Sequence, residues 1–584
     1  MWSAWLRCSR PIGDAPSSPI AVLAALVALI IAAGCSSTGG SADGDDAASD
    51  AAPPTTEATA SSPSSTSSSA PSTGPASAAD DAASASTGAP GPGAAERAAG
   101  ADGVTPLDCP TQLPAYVEDR LPGGATGERL TCWALPTTED PADPDSRPID
   151  VTFYIWSGRD PELRQADPIV YLPGGPRGSA FNSLIPFTTT NIQGDRDLIL
   201  VDTRGNSPIP GDDRGLVASG CPELYDTAIE IFSVNESVEA EYRRLLDGWA
   251  ACLDRLRGDG WDLDQYNTPR IIGDLELLRT ELGYDEWNIY GESYSTRYML
   301  HYLDAHPTSV RSAVLDSVTP PRASAWSPAG VGQAVDAVYR LLVDGCAAAE
   351  RCAGLVPDVD AELTEVRRLL DETPLEAEIT HPLTGAPATL SLDGTDAAFA
   401  VGELLTPDAL PGLPAIVASV AAGNTGLLGS QAGQLLGIAD GGLGLSAATV
   451  CHDFGADPDL VMGDVASVLA APEPWRQLGY ISNMPCEIAG ITPAPVEFLE
   501  PVVSDVPVLV VIGLLDDATP PADGRLAADT LSAATVIEFA SEGHVPVRTD
   551  QCARQVVVDY WTDGADVDTA CVDAANRTPF SFDP

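Results

Sequence analysis

The chain contains no lysine: all 30 basic residues among its 584 are arginine. Without a lysine amine there is no Schiff-base chemistry and no phosphate-loop lysine. Basic residues are scarce altogether, against 84 acids, and the formal net charge is −54. Such a protein repels nucleic acid and anionic membrane surfaces, so neither is expected as a partner. Histidine is also rare, at five residues, and no Cys-x-x-Cys pair occurs among the twelve cysteines. Only His452 adjoins a cysteine, Cys451, so no metal site is expected and no cofactor is required. The unbroken apolar run Ile20–Ala33 is too short to cross a membrane, which takes roughly 20 residues.

That run does suit the core of an export signal, with Arg7 and Arg10 before it. It ends in Ala-Ala-Gly-Cys at 32–35, which resembles a bacterial lipobox with Cys35 as the lipidated residue, although Ala32 stands where leucine is usual. Residues 1–35 are therefore expected to be a lipoprotein-type signal, and the mature chain to be anchored on the outer face of the bacterial cell membrane. An ordinary cleaved signal would leave Cys35 incidental. A diacylated cysteine carries enough chains for stable anchoring. Residues 36–103 are mostly Ser, Ala, Gly, Thr, Pro and Asp. Almost no large apolar residue is present to form a core, so the segment reads as a disordered tether.

With Cys8 and Cys35 set aside, ten cysteines remain. They fall in neighbouring couples: Cys109/Cys132, Cys221/Cys252, Cys346/Cys352, Cys451/Cys486 and Cys552/Cys571. In an exported chain, five local disulfides is the economical arrangement, although spacing alone does not fix connectivity.

The mature chain is too long for one core, and 44% hydrophobic residues suffice to build a large one. Short β-branched runs bounded by Gly, Pro or Asp read as buried parallel strands: Ile169–Leu172, Leu198–Val201, Trp287–Tyr290, Ala313–Leu315, Val506–Ile512 and Thr535–Phe539. Helical patterns alternate with them, as in Ile271, Leu275, Leu278 and Leu282. Strand–helix alternation implies a mostly parallel sheet covered on both faces. The strand rhythm stops from about Pro320 to Leu499, where Val331–Ala349 and Ala361–Asp371 are helical. The expected organisation is therefore a catalytic domain over 104–319 and 500–584, with a mainly helical lid at 320–499.

The strand Trp287–Tyr290 runs into Gly291-Glu292-Ser293-Tyr294-Ser295, and a helical stretch comes next. That is the setting of a nucleophile elbow, usually Gly-x-Ser-x-Gly; here Ser295 replaces the second glycine. A serine hydroxyl needs an adjacent base. His301 and His306 lie beyond the elbow and are expected to be solvated or to cap its helix. His381 sits in a His-Pro turn and His452 beside a cysteine, both with structural roles. His544, in the loop after Thr535–Phe539, remains as the base. The acid should lie between serine and histidine in the chain, and Asp516 and Asp517 both come after Val506–Ile512. An oxyanion hole can be formed by the N–H of Tyr294 and by Gly174 or Gly175, after Ile169–Leu172; Pro176 has no N–H. Glu292 is either functional or a buried structural carboxylate.

With these residues assembled, the chain from about Cys109 to Cys571 resembles secreted α/β-hydrolase peptidases of the tripeptidyl and prolyl aminopeptidase type. "YLPGGPRGSA" is similar to that family's oxyanion loop, with Arg177 in place of glycine. "LILVDTRGNS" resembles its Asp-x-Arg-Gly segment, with Ser207 replacing a later glycine, and "CPEL" at Cys221 is similar to the family's next stretch. "NIYGESYSTRYMLHYL" resembles the elbow region apart from Ser295. "GLLDDATPP" resembles the acid loop, which implies Asp516 as the acid, and "SEGHV" the histidine loop. The segment Cys552 to Cys571, with Tyr560 and Gly564, resembles the disulfide-bearing C-terminal part.

The resemblance implies an α/β-hydrolase fold and a Ser293–Asp516–His544 triad. It also implies an aminopeptidase releasing short peptides or proline, with a peptide as its partner. A carboxylic ester hydrolase with the same triad and a decayed peptide-binding lipoprotein are the alternatives. A monomer is expected. Lid carboxylates such as Asp358, Asp360, Glu362, Glu365 and Glu372 would hold the substrate amine. A histidine base implies a rate that climbs between about pH 6 and 7.5.

Overall fold

The computed structural model describes residues 92–109, 129–176, 178–206, 220–323, 327–432, 443–457, 459–460, 474–475, 477 and 486–576. Cys35, most of the expected tether, Arg177 and Ser207 lie outside them. The first described element is a helix, α1 (Ala94–Gly100). It corrects the expected tether, whose last ten or so residues belong to the folded unit. Ala94 and Ala98, one helical turn apart, are fully buried. The Ala94 N–H donates to the buried carboxylate of Asp197 at 2.7 Å. Alanine is small enough to seat a helix closely, a signal that a search for large apolar residues passes over.

Eleven strands come next among the described residues. β1 (Thr105–Leu107), β2 (Leu130–Thr138), β3 (Pro148–Trp156), β4 (Ile169–Leu172), β5 (Leu198–Val201), β6 (Trp287–Glu292) and β7 (Val310–Asp316) precede the lid. β8 (Leu375–Thr380) and β9 (Pro387–Leu392) form a hairpin within it, and β10 (Val508–Gly513) and β11 (Ala534–Phe539) come after. Nine of them make one sheet in the order β1-β2-β3-β5-β4-β6-β7-β10-β11. The pairs from β5 to β11 are parallel, and β1, β2 and β3 add an antiparallel edge. This is the α/β-hydrolase arrangement. Each central strand buries both faces, and the pleat sends alternate side chains to opposite sides. In β10, Val508, Val510 and Ile512 join one core and Leu509 and Val511 the other.

The helices of the catalytic domain are α2 (Ala180–Thr190), α3 (Glu223–Ile231), α4 (Val238–Gly258), α5 (Thr268–Glu281) and α6 (Ser295–Ala305). The lid contributes α7 (Pro328–Ala348), α8 (Glu350–Leu355), α9 (Val359–Glu372), α10 (Gly394–Gly402), α11 (Leu413–Ala421), α12 (Gly426–Gln431), α13 (Leu443–Phe454) and α14 (Cys486–Ala489). The chain closes with α15 (Pro521–Ala528), α16 (Pro546–Thr549), α17 (Gln551–Asp563) and α18 (Ala570–Asn576). The lid core differs from its expected bounds of 320–499. Tyr242, Trp249 and Leu253 of α4 share one buried cluster with Val335, Leu342 and Phe399 of the lid. The excursion between β5 and α5 is thus part of the same cap. The five disulfides join the neighbouring couples, Cys109–Cys132, Cys221–Cys252, Cys346–Cys352, Cys451–Cys486 and Cys552–Cys571.

Candidate active site

Parallel register carries the elbow to the middle of the sheet. Leu172 of β4 pairs with Gly291 of β6, and Glu292 pairs with Asp316 of β7. Ser293 comes immediately after, with a left-handed φ of 54°. A non-glycine residue holds that conformation only where its surroundings impose it. Here the Ser293 N–H donates to the Asp316 carbonyl at 2.9 Å, and the Ser293 carbonyl accepts from the Thr296 N–H at 3.0 Å. A Cβ on Gly291 would lie 2.9 Å from the Ser295 carbonyl oxygen, so that position must stay bare. Ser295 fits where glycine is usual because its hydroxyl bridges two strand ends: it reaches the Leu172 carbonyl at 2.7 Å and accepts from the Glu292 N–H at 2.9 Å.

The other loops converge on the same end of the sheet. His544 Nδ1 lies 3.0 Å from both carboxylate oxygens of Asp516. Asp516 is buried and also accepts from the Thr519 N–H and hydroxyl, each at 2.7 Å. Burial pushes its carboxyl up, but His544 and Thr519 outweigh that and hold it below the usual carboxylate range. Asp517 makes no such contact; burial and the neighbouring Asp516 push it up to about 7. Burial opposes the charged form of His544, yet Asp516, Asp517 and Asp316 prevail and raise it to about 9. The ring keeps an open edge, with 32% of its side chain exposed, so it is reachable from solvent. The rate limb expected between about pH 6 and 7.5 therefore moves upward.

The loop after β4 lies against Ser293. A Cβ on Gly174 would stand 2.7 Å from Ser293 Cβ and 3.4 Å from Ser293 Oγ. Gly175 has φ 134°, a conformation that other residues rarely adopt. Asp202 fixes the far end of this loop, accepting from the Ala180 N–H at 2.7 Å and the Thr152 and Tyr154 hydroxyls at 2.9 Å. Arg204 locks the next stretch through a two-pronged pair with buried Asp274 at 2.8 and 2.7 Å.

Three supporting residues, Ser317, Thr519 and Arg548, had no sequence signal. Ser317 Oγ accepts from the Val545 N–H at 2.8 Å and pins the histidine loop, where Val545 has φ 61°. Thr519 Oγ1 lies 3.2 Å from His544 Nδ1. Glu292 is a structural carboxylate: it accepts from the Tyr171 hydroxyl at 2.6 Å and pairs with Arg548, four residues past His544. Only folding brings these groups together.

Other expectations are corrected. His301 is buried rather than solvated, stacked on Phe498 at 3.8 Å, and burial lowers it to about 3. His306 does end α6. His381 Nδ1 accepts from the Leu383 N–H at 3.1 Å, and His452 Nδ1 lies 2.9 Å from Asp453, its chain neighbour. The lid acids expected to hold the amine are otherwise occupied. Asp358 caps α9, accepting from the Ala361 N–H at 3.0 Å, and Glu362 sits in the same helix's first turn. Asp360 pairs with Arg340 at 2.7 Å, and Glu365 and Glu372 share Arg368 at 2.7 and 2.6 Å. Different lid acids flank the catalytic loops. Pro407 faces Gly543, where an added Cβ would meet it at 2.9 Å. Glu403 acts electrostatically on Asp517, and Asp408 on Glu542. Glu403 is exposed, and no ion pair holds it among the described residues. No group of three or more His, Cys, Asp or Glu among the described residues could hold a metal ion.

Residues 472–571, which hold Asp516, His544 and the last disulfide, match a family model described as TAP-like protein. The chain is an α/β-hydrolase with a TAP-like C-terminal segment. It is similar to a tripeptidyl aminopeptidase of Streptomyces lividans, 27% identical over 216 residues, covering 35% of this chain and 38% of that protein. A tripeptidyl aminopeptidase of Streptomyces coelicolor is likewise 27% identical over 218 residues, with the same shares. The match thus spans well under half the length of these curated relatives. Among solved structures, a proline iminopeptidase from Mycobacterium smegmatis aligns at 13% identity and a TM-score of 0.35, over 74% of this chain and 98% of that one. An α/β-hydrolase enzyme from a deep-sea metagenome library aligns at 12% identity and a TM-score of 0.32, over 71% and 94%. The fold of this TAP-like hydrolase rests on its own strand order.

Proposed function

We propose that this TAP-like chain is an exported serine hydrolase, an aminopeptidase that releases short peptides or proline from the N-termini of peptides. The observation that carries the reading is the Asp516–His544 contact, at the same end of the sheet as a strained Ser293 backed by bare Gly174. His544 Nε2 takes the Ser293 proton as Oγ attacks the carbonyl carbon. Asp516 holds Nδ1–H and balances the imidazolium. The N–H of Tyr294 and those of Gly174 or Gly175 receive the oxyanion. The tetrahedral species collapses, His544 protonates the departing amine, and water then repeats the sequence on the acyl-enzyme. Five disulfides support an oxidising compartment, and anchoring through Cys35 belongs to the same proposal.

The acids that flank the acid and histidine loops support a cationic substrate end. Glu403, Asp408 and Glu542 come from both the lid and the histidine loop, with Glu403 acting on Asp517 and Asp408 on Glu542. A desolvated ammonium–carboxylate contact contributes roughly 1.5–3 kcal/mol, or about a ten- to hundredfold preference for a free over an acetylated amine. Matched peptide reporters with free and acetylated N-termini should show that ratio in kcat/KM, and Glu403→Gln should shrink it. Equal values, with faster cleavage of a simple ester, would favour the carboxylic ester hydrolase.

A further inference from the structure

Lid helix α13 carries Asp453 in its last turn. Its side chain and that of Arg297 on α6 are wholly inaccessible, 0% exposed each, with Arg297 Nε 3.4 Å from Asp453 Oδ2. A buried carboxylate needs more than one partner, and this one has several. The Tyr294 hydroxyl donates to Oδ2 at 3.0 Å. The Thr268 hydroxyl donates to the same oxygen, and the Thr268 N–H to Oδ1 at 3.4 Å. His452 Nδ1 is 2.9 Å from Oδ1. Arg297 in turn donates to the Asp453 carbonyl at 3.0 Å and to those of Pro320 and Pro321 at 3.1 and 2.6 Å. Pro320–Pro321 is where the chain leaves for the lid, and Asp453 belongs to a lid helix. The outgoing stem and lid helix α13 are therefore both tied to α6, which begins two residues after Ser293.

Tyr294 is the residue between them. Its backbone N–H is fixed by the elbow, and its ring is held by Tyr298 and Phe454 at 5.3 and 6.1 Å, with its hydroxyl on Asp453. We infer that Asp453 is a positioning residue: through the Tyr294 hydroxyl and Arg297 it holds the oxyanion-binding N–H of Tyr294 in place, so that the lid sets the geometry of the oxyanion hole. The inference rests on Tyr294 as an oxyanion donor in the proposed hydrolase. Positioning of this kind acts on the transition state rather than on substrate capture, because the oxyanion forms only as the bond is made.

Tyr294→Phe removes one hydroxyl and keeps the ring. It should lower kcat and the second-order rate of fluorophosphonate capture together by about three- to tenfold, with KM within about twofold of the parent. Asp453→Asn should lower both by about ten- to a hundredfold, and the double variant should lose no more than Asp453→Asn alone. Kcat and capture rates within about twofold of the parent in folded Tyr294→Phe would overturn the inference, and so would losses that add fully in the double variant. If Asp453→Asn does not fold, Tyr294→Phe decides alone. Ser293→Ala in the same assay separates the two readings. Persistent labelling there overturns the nucleophile, whereas lost labelling there with normal capture by Tyr294→Phe overturns only the positioning role.

Discussion

His544 carries three carboxylates in its surroundings, and they set its behaviour. Asp516 touches it, and Asp517 and Asp316 add to the field, so the imidazolium persists up to about pH 9 in the free enzyme. A base must be neutral to accept a proton, so kcat/KM should rise with pH and level off only above about 9. A plateau already reached by pH 7 would mean that another group controls the rate. The two aspartates should then separate cleanly. Asp516→Asn removes the charge that balances the imidazolium and lets an amide N–H face Nδ1, which favours the wrong tautomer, so it should cut kcat by about four orders of magnitude. Asp517→Asn removes only a neighbouring charge, so it should move the pH limb downward and leave the plateau largely intact. The reverse pattern would shift the acid by one residue.

At the scale of elements, four loops, after β4, β6, β10 and β11, converge because parallel strands end on one side. The loop after β4 has the least room. In Gly174→Ala the new methyl would stand 2.7 Å from the Glu292 carbonyl oxygen and from Ser293 Cβ, closer than atoms pack, so loop or elbow must shift. A displacement of that order should cost about a hundredfold in kcat while the fold persists, as read by circular dichroism beside turnover. Retention of near-parental turnover would remove this loop from the reacting centre. The pairing of Arg548 with Glu292 works at the same scale, tying α16 of the histidine loop to the end of β6.

For the whole molecule, the balance of buried acids sets how stability varies with pH. Burial raises Asp202 to about 7, Asp396 to about 8 and Asp517 to about 7. Each is protonated in the fold where the unfolded chain has released its proton. Their contribution is complete below about pH 4 and is lost as pH rises through 7 to 8. His544, raised to about 9, loses its contribution in the same direction, later. The opposite sense belongs to His301, lowered to about 3, and to the depressed Asp453 and Asp516, which lose theirs as pH falls. A net charge of −54 adds self-repulsion that grows toward alkaline pH. The thermal midpoint should therefore be highest near about pH 5 and fall steadily to pH 9. A midpoint that climbs over that interval would contradict the balance.

Much of the fold was legible because it is local. The buried strands are unbroken apolar runs, and β4 and β5 fall where those runs predict. The edge strands β2 and β3 escaped because strand–helix alternation was the guide, and no helix separates them. The run VTFYIW at 151–156 carries the same β-branched and aromatic signal. Ser293, His544 and the pair Asp516/Asp517 stood out because each lies just past a strand, and a turn motif is local as well. Chain order and residue type by themselves determined the α/β-hydrolase sheet, the elbow and the neighbouring cysteine couples. Only the tertiary structure decided which aspartate meets His544 and that Glu292 belongs to Arg548. It also set the lid acids Glu403 and Asp408 beside the catalytic loops and Asp453 beneath Tyr294. Those outcomes depend on contacts between residues far apart in the chain, such as the 159 positions separating Tyr294 from Asp453. Periodicity carries no record of such contacts, because each is fixed by the packing of the whole core rather than by its neighbours in sequence.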